Sequence, residues 1–254
     1  MAEGPAYVVL GRGRWTKKMQ PIIAAEGRTV AAIEETRQRW SENGPSYVSR
    51  LAEAMNASRA QIAWLCVSPG PHVSLMAQAA LEAGLHVIVE KPWYGSAIDT
   101  ERLQSLARTK RRVLAIHFEY LVHGEVEYWR KSFHPGAGLH FGGHFFLGRA
   151  DHIGIPAIHN LGCHLMAIHE FAAPASEICE LRCAYERPDK RFVWLERAGE
   201  QIASIDLLKG SERIVQDFMK KVETALDSAT FPLDLNFALR VANRLNTYKS
   251  QSPV

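Results

Sequence analysis

The 254-residue chain is 47% hydrophobic and 22% charged, a globular composition that excludes wholesale disorder and suffices for one large domain or two small ones. Thirty Lys and Arg against 27 Asp and Glu leave a formal charge of +3, scattered rather than blocked, so composition points away from a nucleic-acid partner. No apolar run reaches the roughly 18 residues that span a bilayer, and the start MAEGPAYVVLGRG lacks signal-peptide anatomy; a soluble, cytoplasmic protein is expected. Cys66, Cys163, Cys179 and Cys183 form no CxxC pair, which argues against a disulfide scaffold or zinc ribbon. Nine of the 11 histidines lie between His117 and His169, as if the two halves had different jobs.

In chain order, AYVVL (6–10) reads as a strand ending at Gly11, followed by helical spacing from Trp15 to Ala25. TVAAIE (29–34) is a second strand, and SRLAEAMNAS (49–58) an amphipathic helix. IAWLCVS (62–68) is a third strand, stopped by Pro69, Gly70 and Pro71. SLMAQAALEAG is a helix closed by Gly84 in the left-handed C-terminal position. HVIVE (86–90), a helix from about Ile98 to Thr109 and RVLAIHF (112–118) complete an alternation that implies right-handed crossovers and a doubly wound, mostly parallel sheet over residues 1–121. Residues 122–254 read differently. After a helix near Gly124 to Ser132, the runs LHFGGHFFLG, EICELRCAYE, RFVWLERAG and QIASIDLLKG predict consecutive antiparallel strands joined by short turns. Helices over 214–228 and 233–250 close the chain. The expected class is α/β, with a Rossmann-type unit followed by an α+β unit built on an open, mainly antiparallel sheet.

Gly11-Arg12-Gly13-Arg14-Trp15-Thr16 supplies two of the three glycines of GxGxxG between a strand and a helix. The first permits the tight turn and the second lets backbone approach a pyrophosphate at the helix N-terminus. Thr16 at the third position is expected to push the helix off the strand, although its hydroxyl is compatible with phosphate. Glu34, about 20 residues on, stands where a carboxylate accepts from ribose hydroxyls. It favours NAD over NADP, while Arg12, Arg37 and Arg39 keep the phosphate-bearing cofactor open.

The stretch CVSPGPHVSLMAQAALEAGLHVIVEKPW (66–93) resembles the glucose-fructose oxidoreductase and inositol dehydrogenase (Gfo/Idh/MocA) family, whose members carry a Pro with a nearby His and then ALEAGKHVxxEKP. The end, LNFALRVANRLNTYKS, is similar to the family's closing helix. The resemblance implies a hydride-transferring NAD(P) enzyme, a dinucleotide-binding unit over 1–121 and a substrate and dimerisation unit over 122–254. It implies cofactor contacts from Gly11 to Thr16, Glu34, Ser68, Pro69, His72, Glu90, Lys91 and Pro92. Lys91 takes the role of the EKP lysine, an ammonium that stabilises negative charge on the reacting oxygen. Asn160-Leu161-Gly162-Cys163-His164 corresponds to the family's DxGxH, so His164 is the implied general acid/base and Asn160, replacing the aspartate, can orient but not charge it. Where sugar dehydrogenases of the family often carry NxR, this chain has Phe118-Glu119-Tyr120, so its substrate is expected to depart from the family's standard sugars. Substrate contacts are assigned to Lys91, Trp93, Tyr120, His140, His144, His159 and His164, and a homodimer or higher homo-oligomer is expected.

His140 and His144 share a strand face across Gly142, which suits a carboxylate or hydroxyl-rich ligand and equally a solvent or subunit face. His159, Cys163, His164 and His169, with Asp151 and His152 upstream, invite a metal. His164 and His169, however, lie about 140° apart around a helix, and no metal is assigned. The alternative to a dehydrogenase is a catalytically idle nucleotide sensor or scaffold of the same fold.

Overall fold

The apolar runs of the first half become five short parallel strands: β1 (Tyr7–Leu10), β2 (Val30–Ile33), β3 (Ile62–Leu65), β4 (His86–Glu90) and β5 (Leu114–His117). They lie in the order β2-β1-β3-β4-β5. The computed structural model describes residues 4–34, 44–133, 138–150 and 154–251. Every residue of β1, β3 and β5 is buried, as strands covered on both faces require, and this explains their uninterrupted hydrophobicity. Helices α1 (Arg14–Ala25), α2 (Gly44–Ala57), α3 (His72–Glu82) and α4 (Ala97–Lys110) make the crossovers. In α3, Val73, Met76, Ala77, Ala79, Ala80 and Leu81 are buried, and Gly84 ends it at φ +78. This compact unit comprises Met1–His117 and Phe218–Leu239. Its returning segment is held by Glu223, which takes a two-point contact from Arg28 (Nε 3.0 Å, Nη2 2.7 Å) and a hydrogen bond from the Tyr7 hydroxyl at 2.9 Å.

The second unit, Phe118–Asp217 with Arg240–Val254, opens with a 3₁₀ turn (Glu119–Val122) and α5 (Gly124–Ser132). Its sheet contains β6 (Leu139–Leu147), β7 (Glu177–Tyr185), β8 (Lys190–Arg197) and β9 (Glu200–Asp206) in the order β7-β6-β8-β9. β6–β8 and β8–β9 are antiparallel. β6 and β7 pair in parallel, contrary to the antiparallel expectation. The reason is the intervening α6 (Ala157–Asn160) and α7 (Gly162–Ala172), a crossover that returns the chain to the end from which β6 started. One face of β6 packs on α7: a Cβ at Gly143 would stand 2.8 Å from Leu165, Phe145 stacks on His164, and Phe141 meets the His169 ring edge-on. Helix α8 (Ile214–Thr224) and α9 (Leu235–Gln251) follow. Arg244 of α9 reaches Glu170, His169 Nδ1 and the Pro174 carbonyl. Among the described residues no helix is long and apolar enough to cross a membrane.

Two histidines are structural and neutral. His86 Nδ1 accepts from the Val113 N–H at 3.0 Å, and burial, aided by Arg112, lowers it to about 4. His169 Nε2 donates to the Ser176 carbonyl at 3.0 Å, and burial again lowers it to about 4. Between these values and the ordinary 6.5 the unfolded chain binds the extra protons, so stability rises with pH across the window and is lost as pH falls toward 4. Urea denaturation at steps from pH 7 to 4.5 is expected to show a falling midpoint below pH 6.5, with net uptake of more than one proton on unfolding near pH 5; a flat profile contradicts this assignment.

Candidate functional site

The glycine turn lies where the strand order reverses, between β1 and β3, the position at which open α/β sheets bind ligands. Gly11 has φ +122, and a Cβ there would collide with the Cys66 carbonyl at the end of β3, so glycine is required twice over, by conformation and by space. Thr16 is buried and its hydroxyl donates to the same Cys66 carbonyl at 3.2 Å. The branched side chain is thus accommodated as a tie between α1 and β3, with its hydroxyl directed at backbone rather than at a ligand. Gly13 caps α1 with no side-chain hydrogen bond, and among the described residues no atom beyond its chain neighbours lies within 4 Å of where its Cβ would stand. A helix start with no capping side chain and room beside its cap residue suits a pyrophosphate, so the turn fits a dinucleotide. The Gly11 N–H donates to the Ile33 carbonyl at 2.9 Å, which brings exposed Glu34 out beside the turn. Arg12 is also exposed, whereas Arg37 and Arg39 lie outside the described residues. On the other side of β1, His72 Nε2 bonds the Ser68 carbonyl at 2.8 Å across Pro69–Pro71.

Glu90, the last residue of β4, is the hub of this unit. Its Oε1 accepts from Trp15 Nε1 at 2.5 Å, Trp64 Nε1 at 2.8 Å and His117 Nδ1 at 2.9 Å. One carboxylate oxygen therefore joins the first turn of α1 and the strands β3, β4 and β5. The rings also pack on one another: His117 is wholly buried, edge-on to Trp64 at 4.9 Å and to Phe218 at 4.7 Å. Sequence reasoning assigned Glu90 to the cofactor; in the structure its Oε1 is turned toward its own sheet. Lys91 follows directly, before Pro92 in a cis peptide. Trp93 is buried, its indole N–H on Thr100 Oγ1 at 2.9 Å.

In the second unit His164 occupies the first turn of α7, nearly inaccessible. It stacks on Phe145 at 5.1 Å and 11° and lies edge-on to Tyr120 at 5.2 Å. Its Nδ1 is 3.9 Å from Glu119 Oε2. Asn160 directs its amide to the Tyr185 hydroxyl at 2.7 Å, and its carbonyl accepts from Cys163. Tyr120 is buried, with its hydroxyl accepting from Arg191 at 2.5 Å; burial pushes the phenol above its ordinary range. Glu119 was missed as a partner of His164 because the two are far apart in sequence and the motif places its carboxylate at position 160. His140 and His144 lie on the face of β6 opposite His164, His140 near Glu177 and His144 between Glu180 and Lys190. His159 is half-buried on α6. Asp151 and His152 lie outside the described residues, and among those described no group of three or more His, Cys, Asp or Glu side chains is placed to hold a metal.

A glycine turn at the switch point of a five-stranded parallel sheet, with a lysine directly after β4, defines a Rossmann-type unit. Residues 6–118 match the GFO_IDH_MocA model, described as oxidoreductase family, NAD-binding Rossmann fold. A dTDP-3,4-didehydro-2,6-dideoxy-alpha-D-glucose 3-reductase of Saccharopolyspora spinosa is 30% identical over 115 residues, 45% of this chain and 33% of that protein. A UDP-N-acetylglucosamine 3-dehydrogenase of Acidithiobacillus ferrooxidans is 26% identical over 125 residues, 49% of this chain and 40% of its own. The alignments thus span well under half the length of these relatives. The crystal structure of the Acidithiobacillus ferrooxidans UDP-N-acetylglucosamine 3-dehydrogenase GnnA shares the fold, with a TM-score of 0.76 at 16% identity over 96% of both chains.

Replacing Glu90 by Leu strands two indole N–H groups and is expected to cost about 3 kcal/mol, with altered tryptophan fluorescence. Glu90→Gln, which keeps an acceptor oxygen, is expected to cost less; equal stability of all three proteins in urea contradicts the hub.

Proposed function

We propose that the protein is an NAD(P)-dependent oxidoreductase that moves a hydride between a nicotinamide and a secondary alcohol, ketone or imine carbon of a small polar, sugar-like substrate. The observation that carries this reading is the uncapped α1 terminus at Gly13, open to a pyrophosphate, in the same sheet as Lys91 at the end of β4. The two curated relatives, a reductase and a dehydrogenase at position 3 of nucleotide-linked sugars, support a nucleotide-linked sugar as the substrate class.

The backbone from Gly11 to Thr16 holds the pyrophosphate, Glu34 the ribose hydroxyls, and Ser68, Pro69 and His72 flank the same side of the sheet. A carboxylate at Glu34 repels a 2'-phosphate, which favours NAD. The nicotinamide, when bound, supplies the hydride acceptor or donor. Lys91 stabilises the negative charge that develops on the reacting oxygen, an interaction stronger in the transition state than in the ground state. His164 takes the hydroxyl proton during oxidation and returns it during reduction.

Isothermal titration is expected to give tighter binding of NAD⁺ than of NADP⁺. A screen of UDP- and dTDP-linked sugars read at the nicotinamide absorbance is expected to find turnover that Lys91→Ala lowers about 100-fold or more in kcat, with dinucleotide affinity retained. Dinucleotide binding with no turnover across the screen overturns the dehydrogenase reading in favour of a sensor.

A further inference from the structure

The motif comparison leaves His164 without its aspartate, yet the fold brings a carboxylate to it from another direction. Glu119 Oε2 lies 3.9 Å from His164 Nδ1. Glu119 is more than nine-tenths buried, and that oxygen has no hydrogen-bond partner among the described residues. A buried carboxylate oxygen in that position is costly unless a positive charge answers it.

Of the titratable groups, Glu119 and Tyr120 from the 3₁₀ turn face the ring; His159 on α6, Cys163 on α7, Cys183 on β7 next to Gly162, and Arg191 on β8 over the Phe145 ring belong to the neighbouring elements. Tyr120 is held neutral by burial, and burial raises the Cys183 thiol to about 12. Arg191 is engaged by the Tyr120 hydroxyl and by Asp189 at 3.6 Å, and lies over the Phe145 ring. β6 contributes the apolar ring of Phe145 to the His164 surroundings.

We infer that Glu119 is the positioning and charge-compensating residue for His164, taking over the task that the aspartate performs in the DxGxH pattern. At 3.9 Å the contact is too long for a hydrogen bond, and it becomes an ion pair when the ring is protonated. The inference rests on the reading of His164 as the proton-handling group. In the oxidation direction the substrate O–H and carbinol C–H bonds break: the proton passes to Nε2, and the hydride is what a bound nicotinamide would accept. The imidazolium so formed faces Glu119 through Nδ1, and the proton returns to substrate oxygen in reduction. Asn160, occupied with Tyr185, is then not the source of the missing charge. The departures at 118–120 and at 160 become one compensated change.

The test needs no substrate. Histidine-ring NMR titration of the full chain, with His164 assigned through His164→Asn, is expected to show the His164 midpoint falling by about one pH unit in Glu119→Gln, with partial retention in Glu119→Asp and unmoved His86 and His169 signals. An unchanged midpoint in Glu119→Gln overturns the inference. Should that variant not fold, the unaltered protein labelled with carboxyl-¹³C glutamate decides: the Glu119 carbon is expected to inflect at the His164 midpoint and to lose that inflection in His164→Asn, and independent titration overturns the pairing. Coupled titration in a protein that turns over no sugar nucleotide leaves the pair standing and removes the dehydrogenase reading alone.

Discussion

A carboxylate that is mostly withdrawn from water must be repaid in hydrogen bonds, and in the first unit Glu90 satisfies this condition with three rings at once. Tryptophan N–H groups can only donate, so Trp15 and Trp64 both need an acceptor when packed, and the end of β4 provides it. The consequence is geometric. The turn that begins α1, the third and fifth strands and the root of Lys91 are fastened to a single oxygen atom. The close approach of Gly11 to the Cys66 carbonyl, tied by Thr16, fixes the neighbouring end of the same sheet edge. Together these contacts tie the ends of β1, β3, β4 and β5 to the start of α1.

The first unit was readable because its signals are local. Continuous apolar runs, the glycine after α3 and the glycine after β1 each report a constraint on backbone within a few residues. The helix α2 begins at Gly44, before the amphipathic stretch read from the sequence, and Tyr47 and Val48 extend the buried face of Leu51 and Met55. The second unit was harder. β6 and β7 have the composition of a hairpin pair, and only recognising α6 and α7 as a crossover reverses their relative direction. The partners of Glu90 and His164 were invisible for a related reason: indole, imidazole and carboxylate meet across tens of residues, and no spacing rule encodes that.

His164 illustrates how a motif can survive in altered form. Its ring is clamped between Phe145 and Tyr120, so its orientation is set by packing rather than by the side chain at 160. Asn160 is spent on Tyr185, linking α6 to β7. Aromatic packing does the orienting, and electrostatic support comes from the turn that begins the unit.

The two adjacent glycines at the middle of β6 divide their work between the sheet's faces. Gly142 leaves room for the Trp194 ring, and Gly143 admits Leu165 of α7. The two contacts are separate, because one residue's side chain emerges on the face opposite the next. A larger residue at either glycine therefore requires Trp194 or Leu165 to give way on its own face of the sheet.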